Sequence, residues 1–166
     1  MLLVQKRIAP QAHADTELCL PFEQRRKTRQ RTALATGEEV ALLLDRGGVL
    51  RGGDCLLGDD GRVVRVVAAP EALMEVKSSD AGALARAAYH LGNRHCPVEI
   101  GEGVVRFTAD HVLAEMLRGI GFAVAAISAP FEPEAGAYAA GHHHHSGEAK
   151  HAGIIHDFAQ TRGPAR

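Results

Sequence analysis

The loudest chemical signal in the chain is a run of imidazoles near its C-terminus. His142, His143, His144 and His145 are consecutive, and His151 and His156 follow. Neutral imidazole is a good donor to Ni2+, Cu2+, Zn2+ and Co2+. A pliable tract can gather several nitrogens around one ion without a preformed cavity, so its affinity would be moderate, its selectivity poor and its exchange fast. The bland alternatives are a tag or an inert polar tail. A tag usually closes a chain, whereas this run of four is internal and is followed by 21 residues.

A second candidate is the stretch Tyr89-His90-Leu91-Gly92-Asn93-Arg94-His95-Cys96-Pro97. A lone histidine is more often structural than a ligand, but two histidines and a cysteine so close together raise the odds. His90 and His95 are five apart, not the four that would align both on one helix face. At most one of them, the loop residue His95, is expected to face a metal, and Cys96 beside it could reach the same ion. A third candidate, Asp110-His111, opens a helical pattern. Its plain reading is an N-cap carboxylate with a neighbouring surface histidine; its functional reading is auxiliary ligation, with the carboxylate fixing an imidazole tautomer.

Other features carry less chemistry. The basic run from Arg25 to Arg31 lacks the interleaved aromatics of a single-strand binder, and the net charge of −1 predicts no global attraction to nucleic acid or membrane. A solvated strand face, or a docking patch for an acidic protein, fits it better. The cysteines Cys19, Cys55 and Cys96 show no CxxC spacing. Cys19 and Cys55 stand in apolar runs and are expected to be buried. An odd cysteine count without a leader pattern fits a reducing cytoplasm. No catalytic set of nucleophile, base and oxyanion donors emerges, so no enzyme is expected. An enzyme using His95 and Asp110 as an acid–base pair would lack a nucleophile.

The elements that must position these residues fall into two patterns. Over residues 1–70, the short apolar runs Leu2–Val4, Leu18–Leu20, Val40–Leu44, Cys55–Leu57 and Val63–Val67 alternate with Gly- and Asp-rich turns. Asp60-Gly61 is a hairpin signal. This half predicts an all-β domain, a small barrel or sandwich. Composition shifts near Ala68-Ala69-Pro70. Over residues 71–136 a strand at Leu73–Val76 precedes a helix capped near Ser78 to Asp80, with Leu84, Ala87, Ala88 and Leu91 on one face and a stop at Gly92. Val98–Ile100 and Val104–Thr108 flank a hairpin turn. A second helix sets Val112, Leu113, Met116, Leu117 and Ile120 on one face, and a last strand runs over Phe122–Ile127, ended by Pro130. The order βαββαβ is the ferredoxin-like arrangement, giving an α+β chain. The opposite sheet face must be covered or functional. Residues 137–166, rich in Gly, Ala and His, read as a flexible tail.

Apolar residues are 46% of the 166 and aromatics only 4%, so each core must be aliphatic and modest, and a dimer contact is a reasonable expectation. No stretch approaches a membrane span.

With these motifs in place, the chain resembles the UreE urease accessory proteins, a family of nickel metallochaperones. The likeness rests on Gly92-Asn93-Arg94-His95 followed by Pro97, on Asp110-His111-Val112-Leu113, on Phe131-Glu132-Pro133-Glu134-Ala135-Gly136-Ala137-Tyr138, and on Arg46-Gly47, Leu50, Gly53-Asp54 and Asp60-Gly61 followed by Val66. It implies a β domain that docks peptides or partners, and a ferredoxin-like domain that binds metal and dimerises. It implies a homodimer in which two copies of His95 share one Ni2+, with Zn2+ or Cu2+ able to compete. The tail histidines then supply further ligands, and His111 is an auxiliary candidate; Ala109 stands where some relatives carry histidine. The implied partners are other urease accessory proteins and the apo-urease complex. The competing readings are a peptide-binding co-chaperone and a general Ni/Zn storage protein.

Overall fold

A computed structural model of the chain describes residues 1–45 and 48–135. The expected flexible tail and its histidines, His142 to His145, His151 and His156, lie outside these residues.

The first half is a six-stranded sheet in the order β2-β6-β5-β1-β4-β3. Its strands are β1 (Leu2–Ile8), β2 (Thr16–Leu20), β3 (Arg29–Ala33), β4 (Glu39–Leu43), β5 (Cys55–Gly58) and β6 (Val63–Ala68). Period-two alternation builds its core. Leu2 and Val4, Leu18 and Leu20, Val40 and Leu42, and Val64 and Val66 all point inward and are buried, each worth about 1.5–3 kcal/mol in apolar transfer. The same alternation turns Cys19 outward between Leu18 and Leu20. Cys19 is therefore exposed, against expectation, while Cys55 is buried as expected. The sheet curls until its ends approach: the Ala35 N–H, just past β3, donates to the Glu17 carbonyl of β2 at 2.8 Å. The Asp60-Gly61 turn joins β5 and β6 antiparallel, with Gly61 at φ +88°, where only glycine sits without strain.

One element of this half, a one-turn helix, escaped the sequence reading, and another, β3, was foreseen only as a solvated strand face in the basic run. The helix is α1, Phe22–Arg25. β3 is an edge strand whose only apolar side chain is the small Ala33, so hydrophobic periodicity gave no signal; pairing with β4 alone makes it a strand.

The single residue Ala69 separates β6 from β7 (Pro70–Lys77). Then follow α2 (Ala81–Gly92), β8 (Val98–Gly101), β9 (Val104–Thr108), α3 (His111–Gly119) and β10 (Ala125–Pro130). The four strands pair antiparallel in the order β10-β7-β9-β8. This is the expected ferredoxin-like arrangement. Val76, Ala87, Leu91, Val98, Val105, Phe107 and Leu117 form the core between sheet and helices. In α3 the buried face is Ala114 and Leu117 with Leu113 and Met116 beside them; Val112 and Ile120, expected on that face, are exposed. β10 begins three residues later than expected because Phe122 and Val124 are drawn onto the helix-side core before pairing starts. Pro130 closes the strand as expected, as its last residue. It lies at the sheet edge opposite Pro70, where no N–H is required.

The opposite sheet face is covered in part by the first half. Phe22 of α1 meets Phe131 edge-on, ring centroids 5.4 Å apart, over buried Leu73. Beside this contact a charge ladder crosses three strands: Arg106 bonds Glu75 at 2.9 Å and Glu99 at 2.8 Å, and Lys77 reaches Glu75 at 2.9 Å.

Candidate metal centre

His95 occupies a helix-terminating turn of unusual composition. The Asp80 carboxylate caps the start of α2, accepting from the Gly82 N–H at 2.8 Å. At the other end the helical bonds continue past Gly92: Asn93 N–H reaches the Tyr89 carbonyl at 3.0 Å. His95 N–H then bonds the Gly92 carbonyl at 2.9 Å and Cys96 N–H bonds the Leu91 carbonyl at 3.3 Å. These two reversed bonds are the Schellman pattern, which requires a left-handed residue at the position of His95. His95 is that residue, at φ +55°, and among the described residues no other non-glycine has positive φ. Glycine is usual there, and a side chain with a Cβ costs about 1 kcal/mol or more.

The turn divides its residues sharply. Cys96 tucks in against the helix-side core, while His95 is exposed. Among the described residues nothing hydrogen-bonds the His95 ring, which leaves both nitrogens open to a ligand. The Cys96 thiol is occupied with the Pro97 carbonyl at 3.4 Å. Burial, and secondarily the charge of Asp110, pushes that thiol above its ordinary range.

Cys96 and Leu113 of α3 pack against the same core, which brings the start of α3 toward this turn. Asp110 itself is an N-cap: its Oδ1 accepts from Val112 N–H at 2.8 Å and Leu113 N–H at 3.1 Å. It bonds neither His95 nor His111. His111 is exposed on the first turn of α3. His90 is half-buried on α2 beside Tyr89, ring centroids 5.5 Å apart. Among the described residues no group of three or more His, Cys, Asp or Glu is close enough to enclose an ion. The described part of one chain thus offers His95 as a separate surface donor.

Residues that the sequence reading quoted only as part of a family motif or a basic run, without a structural role, hold the root of the C-terminal segment against this corner. Glu134 N–H bonds the Val98 carbonyl at 2.8 Å, three residues beyond His95. Glu132 N–H donates to Glu99 at 2.6 Å. The Glu132 carboxylate accepts from Arg25 at 2.9 Å, from Arg51 at 3.0 Å and from Gly52 N–H at 2.7 Å. Burial alone would raise this carboxyl, but the Gly52 N–H and the two arginines outweigh it and hold it below the usual glutamate value. Arg25, one residue of the basic run, is itself buried, and donates also to the Leu20, Leu50 and Phe131 carbonyls. The only sequence hint was that Phe22 and Arg25 are spaced three apart and so share one helical face.

The geometry defines a two-domain α+β protein that displays one exposed imidazole on a tightly bonded corner. Comparison with known proteins gives the family. Residues 3–69 match the N-terminal domain of UreE urease accessory protein, and residues 71–158 match its C-terminal domain. The chain is 54% identical to a urease accessory protein UreE of Alkalilimnicola ehrlichii over 138 residues, covering 83% of this chain and 85% of that protein. It is 50% identical to a urease accessory protein UreE of Nitrosospira multiformis over 148 residues, covering 89% and 84%. To one of Burkholderia vietnamiensis it is 54% identical over 152 residues, covering 87% and 76%. The chain belongs to the UreE urease accessory protein family.

Proposed function

We propose that this chain serves urease maturation as a nickel carrier, binding Ni2+ between the His95 imidazoles of two copies and handing it on during assembly of the urease active site. It acts as an accessory protein and not as an enzyme. Residues 71–136 carry the metal and the dimer contact, residues 1–70 dock partners, and residues 137–166 form the His-rich tail.

The observation that supports this reading most is His95: a histidine held at a left-handed corner where glycine would be cheaper, with its ring exposed. Backbone strain retained at a surface residue points to a use for that side chain. A two-fold axis supplies the same imidazole twice, and two nitrogens leave Ni2+ under-coordinated. The tail can supply more. Its root is bonded at Val98, and the eight residues from Glu134 to His142 span at most roughly 26–29 Å when extended, ample to return to His95. His142, His143, His144, His145, His151 and His156 are the candidates for this task, and His111 is a peripheral one.

Delivery then proceeds by ligand exchange. The tail histidines release, an acceptor protein offers its own donors, and the His95 pair releases last. Zn2+ and Cu2+ compete because imidazole favours Cu2+ over Ni2+, so choice of nickel rests on supply and on the partner complex. Three unpaired cysteines accord with a reducing cytoplasm as the place of work.

Calorimetric titration of the full chain and of His95→Ala with Ni2+ tests the assignment. Loss of the tightest site, with one ion per two chains in the unaltered protein, is the expected result. An unchanged tightest site in the variant would remove His95 from the reading and favour storage in the tail.

A further inference from the structure

The end of the basic run, Arg29 to Arg31, is left unused by the metal site and lies in β3, an edge of the first sheet. Leu34 N–H bonds the Glu38 carbonyl at 2.9 Å and Leu44 N–H bonds the Thr28 carbonyl at 2.8 Å. In an antiparallel pair, bonded and non-bonded residues alternate. The even-numbered residues of β3 therefore bond β4, and Arg29, Arg31 and Ala33 turn their N–H and C=O groups outward. Past the end of β3, Ala35 spends its outward N–H on Glu17. Among the described residues the outward backbone groups of Arg29 and Arg31 have no partner, and neither guanidinium is in an ion pair, nor is the ammonium of Lys27. The carboxylates nearby are Asp45, in a groove of about 550 Å³ with Arg26, Lys27 and Arg29, and Glu39, in one of about 380 Å³ with Arg31. Arg26 is already paired with Glu23 at 3.0 Å.

We propose that β3 is a docking edge for an extended acidic segment of a partner protein, which adds as a seventh strand with acidic side chains opposite Arg29 and Arg31. The chemistry selects this occupant. Residues directly opposite on neighbouring strands lie on one face with Cβ atoms about 4.5–5.5 Å apart, so the segment carries Asp or Glu at positions i and i+2. The backbone bonds supply the affinity and the arginines the specificity. A second copy of this edge is a poor occupant: every antiparallel register that uses Arg29 and Arg31 of both copies sets an arginine opposite an arginine, which is destabilising. The cations thus bar self-pairing, the usual hazard of an open edge, while inviting an acidic strand.

This inference deepens the proposed docking role of residues 1–70 and rests on it; His95 does not enter. The probe is a blocked seven-residue peptide of alternating Thr and Glu, titrated by fluorescence anisotropy into the full chain at low and high salt. Binding that weakens with salt is expected. Charge reversal by Arg29→Glu with Arg31→Glu should lower the affinity by about tenfold or more, the size of a lost charge pair with its hydrogen bonds. N-methylation of the peptide at its Glu amides should cost as much on the unaltered chain, while N-methylation at its Thr amides should cost little. No binding, insensitivity to charge reversal, or equal response to the two methylations overturns the proposal. Urease activation measured in parallel separates the two readings. A chain that activates urease yet ignores the peptide refutes the docking edge alone; a chain that does not activate urease refutes the carrier role.

Discussion

Arg25 and Glu132 meet at 2.9 Å beneath the junction of the two halves, with the Arg25 side chain fully buried. Every oxygen around that guanidinium is an acceptor placed by another segment: Leu20, Leu50, Phe131 and Glu132. Arg25→Ala would leave these groups facing a void. Breaking a buried pair typically costs about 3–5 kcal/mol. The expected result is a loss near the lower end of that range in urea unfolding, because Glu132 keeps Arg51 and Gly52. A change under about 1 kcal/mol would mean that the two halves do not depend on this contact.

The charged ladder on the sheet makes a pH prediction. The Lys77 ammonium first, and then Arg106, outweigh burial and hold the Glu75 carboxyl below its ordinary value; Glu132 is held low as well. A carboxyl lowered by folding contributes stability above its unfolded value, about 4.3, and the contribution is lost as pH falls through the folded value. Urea midpoints should therefore be level near neutrality and fall on acidification below about pH 4.3. Glu75→Gln should be less stable at pH 7 and show a flatter acid limb. An acid limb of unchanged slope in the variant would assign the acid sensitivity elsewhere.

How far these features could be read from the chain depends on the range of the forces that make them. Leu84, Ala87, Ala88 and Leu91 announce α2 because a helix face is a local pattern, and all four lie against the core. The alternation of Leu18 and Leu20 also contained the outward turn of Cys19, although an apolar run suggested burial. For α3, the small residue Ala114 is buried while the larger Val112 and Ile120 are exposed, a division that hydropathy alone does not give. The spacing of Phe22 and Arg25 gave no hint of the partner, since Glu132 lies 107 residues away. Gly92 correctly marked the end of α2, but the left-handed residue is His95, and only the closing bonds from Cys96 to Leu91 and from His95 to Gly92 reveal that.

Asp110 can be tested as a cap against its other role as a partner of imidazole. Its Oδ1 takes both N–H groups at the start of α3. Asp110→Ala should cost about 1 kcal/mol of stability, the usual price of a lost cap, and Asp110→Asn or Asp110→Ser should restore most of it. Nickel affinity should stay within about twofold in all three, since a change of that size is under 0.5 kcal/mol. A large fall in affinity with Asp110→Asn, at full stability, would show instead that the carboxylate orients a metal-binding histidine.

The strain at His95 offers a way to separate structure from metal binding at one position. At φ +55° a glycine escapes the Cβ penalty that histidine and alanine both bear. Glycine also loosens the unfolded chain, which offsets part of the gain. His95→Gly should thus be as stable as the unaltered protein or up to about 1 kcal/mol more so, and clearly more stable than His95→Ala. Both variants should lose the tightest Ni2+ site equally. A glycine variant that melts lower than the alanine variant would show that the His95 ring makes contacts that stabilise the fold, and the histidine would then need no metal to explain it. A glycine variant that is stable, fully folded and unable to hold Ni2+ between two chains would leave ligation as the reason a histidine stands where the backbone favours glycine.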